Sequence, residues 1–249
     1  MDVLRKTIIV IPAYNEAKNI VKVINGVRTN LKNVQILIID DFSSDETSCL
    51  AKKNNITTLR HPFNMGYASS CQTGFKYAYE NGYEIVIQMD ADGQHEPESI
   101  QNLIKPIIKN EADLCIGSRF LNGKIYKPSI PRKIGMFLLG RTVTFFTKIK
   151  ITDPTSGFQA FNRKVLRVYC TDIYPAKYPD ADLIIKMHFA GFRIIEIPVK
   201  MYPNPNKSMH NFFSSIFYMI EMAISIFISL FSKNYILKTI MEDNNEYKT

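Results

Sequence analysis

The chain has 249 residues, 46% of them hydrophobic, which is enough to fold around a sizeable core of its own. Lys and Arg outnumber Asp and Glu by 31 to 23, which gives a formal charge of +8. That excess favours an anionic partner such as a nucleotide diphosphate, a lipid phosphate or a membrane surface, although a generally basic surface also produces it. The basic residues form no aromatic-interleaved stripe, which argues against nucleic acid as the partner.

The four cysteines are widely separated and form no CxxC pair, so neither a zinc site nor a disulfide framework is indicated. This usage fits a reducing compartment. The first apolar run, residues 7–11, is too short for a signal peptide, and we therefore expect the main domain to stay in the cytosol.

Strands and helices alternate along the first half of the sequence. Apolar runs, several rich in β-branched residues, predict buried strands over residues 7–11, 35–39, 56–59, 84–89 and 113–116. Helical spacing predicts helices over residues 15–29 and 68–79, and two more begin near residues 43–46 and 97. This order predicts an α/β fold with a mostly parallel central sheet covered on both faces.

The second half is less regular, with predicted helices over residues 131–148 and 180–190 and strands over 157–161 and 192–201. After a loop rich in Pro and Asn, residues 212–231 form an apolar stretch long enough to cross a bilayer as a helix. An amphipathic helix in the membrane interface fits its composition better, while a transmembrane helix and a helix packed on the core remain open. A polar stripe at helical period favours the interfacial helix; it is formed by Ser214, Glu221, Ser225, Ser229 and Ser232.

Polar clusters follow three of the predicted strands, at residues 14–16, 40–41 and 90–94. Ligands of such sheets bind beyond the carboxyl ends of the strands, so we expect these clusters to converge. Asp90-Ala-Asp92-Gly-Gln94 offers two carboxylates and an amide oxygen, which are ligand types that Mg²⁺ and Mn²⁺ prefer. Such triplets also occur in ordinary turns, but the position after an apolar strand favours a metal site that neutralises a diphosphate leaving group.

Six motifs occur in order along the chain: Pro12-Ala-Tyr-Asn-Glu16, Asp40-Asp41-x-Ser-x-Asp45-x-Thr47, Asn64-x-Gly66, Asp90-Ala-Asp92, Gly117-Ser-Arg119 and Asp153-x-Thr-Ser-Gly157-Phe. Together they resemble family 2 of the inverting glycosyltransferases, which have the Rossmann-like GT-A fold. The resemblance covers roughly residues 7–201. Within that family the chain is most similar to the dolichyl-phosphate mannose synthase and polyprenyl-phosphate sugar transferase branch.

The resemblance implies a nucleotide-diphosphate sugar as donor and Mg²⁺ or Mn²⁺ as cofactor. Asp90, Asp92 and Gln94 would surround the metal. Arg119 and Arg132 resemble the arginines that hold an acceptor lipid phosphate, because a planar guanidinium binds phosphate oxygens bidentately; pairing with a carboxylate or simple surface exposure stays open for both. The donor-binding positions implied by the family are Pro12, Tyr14, Glu16, Asp41, Asn64, Asp90 and Asp92.

The acceptor side departs from the family pattern. Asp180 takes the position of the family's general base, and Asp92 and Arg119 complete the predicted catalytic set, but Pro179 replaces the usual glutamate. A hydroxyl acceptor needs a base whereas a phosphate is already anionic, so this loss favours a lipid phosphate. Asp180 equally suits a helix N-cap. Lys207 lies in a stretch resembling the basic acceptor loop, where it would bind the acceptor phosphate; a mobile surface loop fits this stretch equally well.

We therefore expect a metal-dependent hexosyltransferase that uses a UDP- or GDP-sugar and a polyprenyl phosphate at the cytosolic face of a membrane. One alternative is transfer to a sugar hydroxyl in capsule, exopolysaccharide or glycolipid assembly, with Asp180 as an obligatory base. The other is a non-catalytic nucleotide-sugar-binding scaffold, against which the intact Asp41, Asp90 and Asp92 argue. We expect a GT-A domain over residues 1–203, an acceptor loop and membrane-associated helix over 204–232, and a polar tail over 233–249; an oligomer is compatible with this organisation.

Overall fold

The computed structural model describes residues 6–121, 130–202 and 212–231, and the side chains in these ranges except at 130–133 and 212–216. Within this part of the chain, seven strands form one sheet and eight α-helices pack around it. The strands are β1 (Thr7–Ala13), β2 (Gln35–Asp40), β3 (Thr57–Arg60), β4 (Ile85–Gln88), β5 (Leu114–Ser118), β6 (Gln159–Asn162) and β7 (Ile194–Pro198). The helices are α1 (Ile20–Asn30), α2 (Thr47–Lys53), α3 (Tyr67–Glu80), α4 (Ile100–Ile108), α5 (Ile130–Thr147), α6 (Arg163–Tyr169), α7 (Ala181–Phe189) and α8 (Phe212–Phe231).

The strands lie in the order β3-β2-β1-β4-β6-β5-β7. All neighbouring pairs are parallel except those of β6, which runs antiparallel to both β4 and β5. The predicted α/β fold with a mostly parallel sheet is therefore confirmed. Strand β1 lies inside the sheet and is buried along its whole length, as its continuous apolar run predicts.

The core lies on both faces of the sheet. Because side chains alternate along a strand, Ile8 and Val10 of β1 join one apolar cluster and Ile9 and Ile11 join the other. The first cluster includes residues of α3 and α5 to α8, and the second includes residues of α1, α2 and α4. Helix α3 approaches β1 closely at Gly74, where a Cβ would lie 2.2 Å from Val10 Cγ1.

One predicted boundary differs from the structure for a reason outside the local sequence. The helix predicted over residues 15–29 begins only at Ile20, because the preceding loop is tied to the turn after β2. Asn15 is left-handed (φ 54°) and its N–H donates to Ser43 Oγ (2.9 Å), while Ala17 N–H donates to Asp45 Oδ2 (3.0 Å). Helix α6, which follows β6 directly, is not among the predicted helices.

One side of α8 packs on the protein and the other side is exposed. Met222 and Ile226 are buried in the core, and the polar stripe of the sequence faces the protein at Ser225 and Ser229. Among the described helices, none combines the length and the apolar composition that crossing a membrane requires. The large apolar side chains exposed on α8 are Phe217, Ile220, Ile224, Phe227, Ile228 and Phe231.

Candidate active site

A cleft of about 670 Å³ opens at the carboxyl ends of β1, β2 and β4. The three polar clusters predicted to converge do meet here, because these parallel strands end side by side in the sheet. Two later segments, around residues 119 and 155–157, complete the wall. The predicted site residues that line the cleft are Pro12, Tyr14, Glu16, Asp41, Asn64, Asp90, Asp92, Gln94 and Arg119.

Asp41 organises the loop that contains Asn64 and Gly66. One carboxylate oxygen accepts the Met65 N–H (2.8 Å) and lies 2.8 Å from His61 Nδ1, and the other accepts the Gly66 N–H (2.8 Å). Gly66 has φ 90°, a conformation that residues with a Cβ rarely adopt. Asp41 therefore shapes the cleft wall through its backbone partners, and it does so together with His61, which no sequence motif had indicated.

The loop after β1 is held by the loop after β2. Glu16 is buried, its backbone N–H donates to Thr47 Oγ1 (2.8 Å), and its carboxylate accepts a hydrogen bond from Asn19 Nδ2 (2.8 Å). Tyr14, by contrast, is 49% exposed on the cleft wall. This segment therefore combines a fixed backbone with an exposed aromatic ring on which a nucleoside base can stack.

Asp90, Asp92 and Gln94 follow β4 in one short segment. Tyr67 donates a 2.7 Å hydrogen bond to Asp90 Oδ1, and the Gln94 N–H donates to Asp92 Oδ1 (3.0 Å). Burial, and then the neighbouring Asp90 carboxylate, raises the pKa of Asp92. A cation bound between the two carboxylates would relieve this repulsion.

The donor set fits a metal that binds together with a substrate. In the part of the chain that the structure describes, no three His, Cys, Asp or Glu side chains form a ready-made metal cage. Magnesium in phosphate-binding enzymes usually has one or two carboxylates and takes its other ligands from water and substrate phosphates. Asp90 and Asp92, with the Gln94 amide beside them, match that requirement.

Arg119 is paired with a buried carboxylate. Its Nε donates to Asp153 Oδ2 (2.7 Å), and its Nη2 donates to Asp153 Oδ1 (2.6 Å) and to Thr155 Oγ1 (3.1 Å). The two side chains are only 6% and 0% exposed. Pairing with a carboxylate, one of the alternatives for this arginine, is therefore present, while the guanidinium still lines the cleft.

Glu196 of β7 fixes the segment that carries Asp153. Its carboxylate accepts hydrogen bonds from the backbone N–H groups of Thr152 (2.8 Å) and Asp153 (2.7 Å) and from the Thr152 hydroxyl (2.8 Å). Burial raises the pKa of Glu196. Glu196 belongs to no sequence motif and lies 43 positions from Asp153, so only the fold reveals that two successive carboxylates position Arg119.

Acidic groups dominate the described wall of the cleft. Arg119 is the single Lys or Arg among the described lining residues, and its charge is balanced by Asp153. A bare diphosphate would meet a net negative wall, and a divalent cation beside Asp90 and Asp92 would offset part of that repulsion. The carboxylates on the wall are Glu16, Asp41, Asp90 and Asp92.

Asp180 lies immediately before α7 and is not among the described residues that line the cleft. Its side chain makes no helix-capping hydrogen bond; instead, Oδ2 accepts a 2.6 Å hydrogen bond from the hydroxyl of Tyr218 on α8. Burial raises the pKa of Asp180 to about 6, although the Tyr218 hydrogen bond acts in the opposite direction. A carboxylate with this pKa can accept a proton near neutral pH.

Two predicted acceptor-binding residues, Arg132 and Lys207, lie outside the described side chains. Two residues that the predicted set omits, Tyr67 and His95, contact Asp90. Their sequence signal is only that each adjoins a motif, Tyr67 after Asn64-x-Gly66 and His95 three positions after Asp92.

A mostly parallel sheet that carries paired carboxylates and motif loops at its carboxyl edge fits the class of nucleotide-sugar transferases. Residues 8–170 match the model of Glycosyl transferase family 2, and the chain belongs to that family. It is thus a glycosyltransferase.

Two named relatives align with most of the chain. It is 32% identical over 213 residues to the UDP-N-acetylglucosamine–dolichyl-phosphate N-acetylglucosaminyltransferase of Methanococcus voltae, covering 77% of this chain and 84% of that protein. It is 28% identical over 212 residues to the polyprenol monophosphomannose synthase of Mycolicibacterium smegmatis, covering 78% and 77% respectively. The first of these names contains dolichyl phosphate, and the second contains polyprenol.

Solved structures show the same fold. Glucosyl-3-phosphoglycerate synthase from Mycobacterium tuberculosis, in complex with Mn²⁺, UDP and glucosyl-3-phosphoglycerate, superimposes with a TM-score of 0.63. The match covers 91% of this chain and 79% of that one at 16% sequence identity. The expected GT-A architecture is therefore confirmed.

Proposed function

We propose that this enzyme transfers a sugar, with inversion, from a nucleotide-diphosphate sugar to a polyprenyl phosphate, with Mg²⁺ or Mn²⁺ held by Asp90, Asp92 and Gln94. A phosphate oxygen of the acceptor attacks the anomeric carbon. The bond from that carbon to the diphosphate oxygen breaks, and its electron pair leaves with the nucleoside diphosphate. The observation that carries the proposal is the meeting of paired carboxylates and a buried arginine, Arg119, in one cleft.

The donor side is supported by the charge of the cleft and by solved structures. When bound, a divalent cation neutralises the charge that develops on the diphosphate leaving group. The structurally similar synthase from Mycobacterium tuberculosis has been crystallised with Mn²⁺ and UDP-glucose. In this chain, Asp41 and Glu16 hold the loops on which a nucleoside would lie, and Tyr14 offers its exposed ring.

The acceptor side is supported by the relatives named for dolichyl or polyprenol phosphates. The position of Asp180 points in the same direction. A hydroxyl acceptor needs a base beside it, yet Asp180 accepts a hydrogen bond from Tyr218 and is not among the described lining residues of the cleft. A phosphate acceptor arrives already ionised and needs hydrogen-bond donors rather than a base. The Arg119 guanidinium on the cleft wall is such a donor group, although Asp153 balances its charge.

Peripheral attachment to the cytosolic face of a membrane is supported by an apolar surface that α5 and α8 share. The two helices are close, since a Cβ at Gly135 would lie 3.2 Å from Met219 Sδ. Both pack on α7 and leave their outer sides exposed. On α5, Arg141 lies over the ring of Phe137. A cation beside exposed apolar side chains is the combination that binds the surface of an anionic bilayer. The exposed apolar residues of α5 are Ile134, Phe137, Leu138 and Phe145.

The proposed transfer is tested with radiolabelled nucleotide sugars offered to a polyprenyl phosphate and to a soluble glycan, each with Mn²⁺ or with EDTA. Label in an acid-labile lipid product, formed only with metal, is the expected result and also identifies the donor. Label in the glycan would replace the proposal by hydroxyl transfer with Asp180 as base. Label in neither acceptor with any donor would refute both.

Membrane attachment is tested by flotation with vesicles that contain anionic phospholipid. Phe137→Ser combined with Phe227→Ser should reduce the floated fraction, whereas Ile108→Ser, on the opposite side of the sheet, should not. Truncation after Asn211 is also expected to release the chain, but it removes the Tyr218 hydroxyl from Asp180 as well. The point variants separate these two effects, and unchanged flotation of the double variant would contradict the attachment.

A further inference from the structure

The Asp90 carboxylate is contacted from two sides by residues to which no role has been assigned. On one side the hydroxyl of Tyr67, the first residue of α3, donates a 2.7 Å hydrogen bond to Oδ1. On the other side His95 Nε2 lies 3.5 Å from Oδ2. Because each carboxylate oxygen has two lone pairs, both oxygens keep one for a cation after these contacts are made.

The direction of the Tyr67 hydrogen bond is fixed by a second partner. Gln88 of β4 donates from its side-chain Nε2 to the same hydroxyl (2.8 Å). An amide NH₂ group can only donate, so the hydroxyl accepts from Gln88 and directs its own proton to Asp90. Tyr67 is thus a defined donor to a residue 23 positions away in the sequence.

His95 is oriented as firmly as Tyr67. Its Nδ1 accepts a hydrogen bond from the Asp90 backbone N–H (3.0 Å), so in the neutral ring the proton resides on Nε2, which faces the Asp90 carboxylate. The ring is 4% exposed and stacks on Phe158, with centroids 4.7 Å apart and planes at 11°. His95 therefore holds the backbone of Asp90 by a hydrogen bond and places its Nε2 beside the Asp90 carboxylate.

Gly157 provides the space that this arrangement needs. A Cβ at this position would lie 2.5 Å from the Tyr67 hydroxyl oxygen and 3.4 Å from each Asp90 carboxylate oxygen. The first distance is far below van der Waals contact, while the others are ordinary contacts. The motif that ends in Gly157 and Phe158 thus contributes a gap for one partner of Asp90 and a stacking surface for the other.

We infer that Tyr67 and His95 are positioning residues that hold the Asp90 carboxylate in one orientation for the divalent cation, and that Gly157 preserves this contact. The inference rests on the proposed metal-dependent function. An aspartate that is already held loses less side-chain freedom when the cation binds. Loss of such outer partners of a ligand typically weakens metal affinity or activity by about 10–100-fold.

The test measures Mn²⁺ binding by calorimetry and electron paramagnetic resonance, with saturating UDP and no sugar donor, so that turnover does not contribute. Tyr67→Phe is expected to raise the Mn²⁺ dissociation constant by about 10–100-fold. His95→Leu keeps apolar bulk against Phe158 and should weaken binding at least as much. The matched control is Tyr77→Phe, on the same helix with its ring packed against the core, which should bind Mn²⁺ like the native chain.

Two further readouts distinguish positioning from a general loss of structure. Circular dichroism must show each variant folded at the assay temperature. In transfer assays, Tyr67→Phe should need more Mn²⁺ for half-maximal rate by the factor seen in binding, while kcat at saturating Mn²⁺ returns close to the native value. A folded Tyr67→Phe variant with native Mn²⁺ affinity overturns the inference.

A double-mutant cycle tests the part played by Gly157. Gly157→Ala alone should weaken Mn²⁺ binding about as much as Tyr67→Phe, because the new methyl group displaces the hydroxyl. In the Tyr67→Phe background the same alanine should cost little more, since the atom it displaces is gone. Additive losses would overturn the role of Gly157. If the native chain binds no Mn²⁺ with UDP, the proposed metal site fails first, so the two failures are distinguishable.

Discussion

Replacing Tyr218 by phenylalanine removes one hydroxyl from α8, and the effect on stability should depend on pH. The hydroxyl donates a 2.6 Å hydrogen bond to Asp180, whose pKa burial has already raised to about 6. Asp182, Arg119 and Asp153 also act on this carboxylate through their charges. The variant leaves these groups in place and deletes only the donor, so the change reports on the contact between α8 and the predicted base.

The magnitude follows from the charge of the acceptor. A hydrogen bond to a charged group contributes about 1.5–3 kcal/mol to stability, and one between neutral groups about 1 kcal/mol. We therefore expect Tyr218→Phe to lower the free energy of unfolding by about 1.5–3 kcal/mol where Asp180 is ionised and by about 1 kcal/mol where it is protonated. Because the variant loses more stability where Asp180 is ionised than where it is protonated, the substitution raises the pKa of Asp180 by roughly one unit.

The pH dependence has a definite sign. The folded chain holds the Asp180 proton more tightly than the unfolded chain, whose carboxyl has the ordinary pKa of 3.8. The contribution of Asp180 to stability is therefore present below about pH 4 and is lost as the pH rises to about 6, or to roughly pH 7 in the variant. Urea unfolding followed by circular dichroism measures the stability that Tyr218→Phe loses with Asp180 protonated, near pH 5, and with Asp180 ionised, near pH 8.5.

A matched control is Tyr178→Phe. The Tyr178 ring packs edge-on against Tyr218, with centroids 5.0 Å apart, but the hydrogen bond to Asp180 belongs to Tyr218. This control should lose little stability at either pH. An equal loss near pH 5 and near pH 8.5 for Tyr218→Phe would refute the reasoning, because the hydroxyl would then not distinguish the ionised from the protonated carboxyl.

Three other variants test the cleft and the core. Asp92→Ala should abolish transfer while leaving the thermal melt close to native; normal transfer would contradict the metal assignment. Gly74→Ala should lower the free energy of unfolding by about 1–3 kcal/mol, since its Cβ would lie 2.2 Å from Val10 Cγ1, and Val10→Ala should recover part of the loss in urea unfolding. Asp113→Asn should destabilise the chain at pH 7, because hydrogen bonds from Arg193 hold the pKa of Asp113 at about 2; the deficit should shrink as the pH falls from about 4 towards 2, and a constant deficit would contradict it.

The sheet and the place of the cleft could be predicted because they depend on local patterns. A strand buried on both faces has to be apolar along its length, so runs such as those of β1 and β2 are visible in the sequence. Parallel strands then bring their carboxyl ends to one edge, which is why Glu16, Asp41 and Asp90 could be placed together without coordinates.

The features that could not be predicted from the sequence depend on contacts between distant segments. Tyr67 acts on Asp90 across 23 positions, Glu196 on Asp153 across 43, and neither spacing has a local period. The polar stripe of α8 is visible in the sequence, but the element that the stripe faces is not. Ser225 donates to the carboxylate of Asp182, so the stripe faces α7 at this residue, and large apolar side chains such as Phe227 are exposed on another side of the helix. Periodicity gives the faces of a helix, and only the neighbouring elements decide which face is buried.

The charge of the cleft leads to a last prediction, that metal and nucleotide bind as a coupled pair. Asp90 and Asp92 repel each other without a cation, and the balanced pair of Arg119 and Asp153 adds no net positive charge for a diphosphate. Each ligand therefore brings the charge that the other needs, and Mn²⁺ and UDP should raise one another's affinity by at least about tenfold. Titration of Mn²⁺ with and without UDP, and of UDP with and without Mn²⁺, should give the same factor, as thermodynamic linkage requires. Mn²⁺ affinity that is equal with and without UDP would mean that the carboxylates form a complete site on their own.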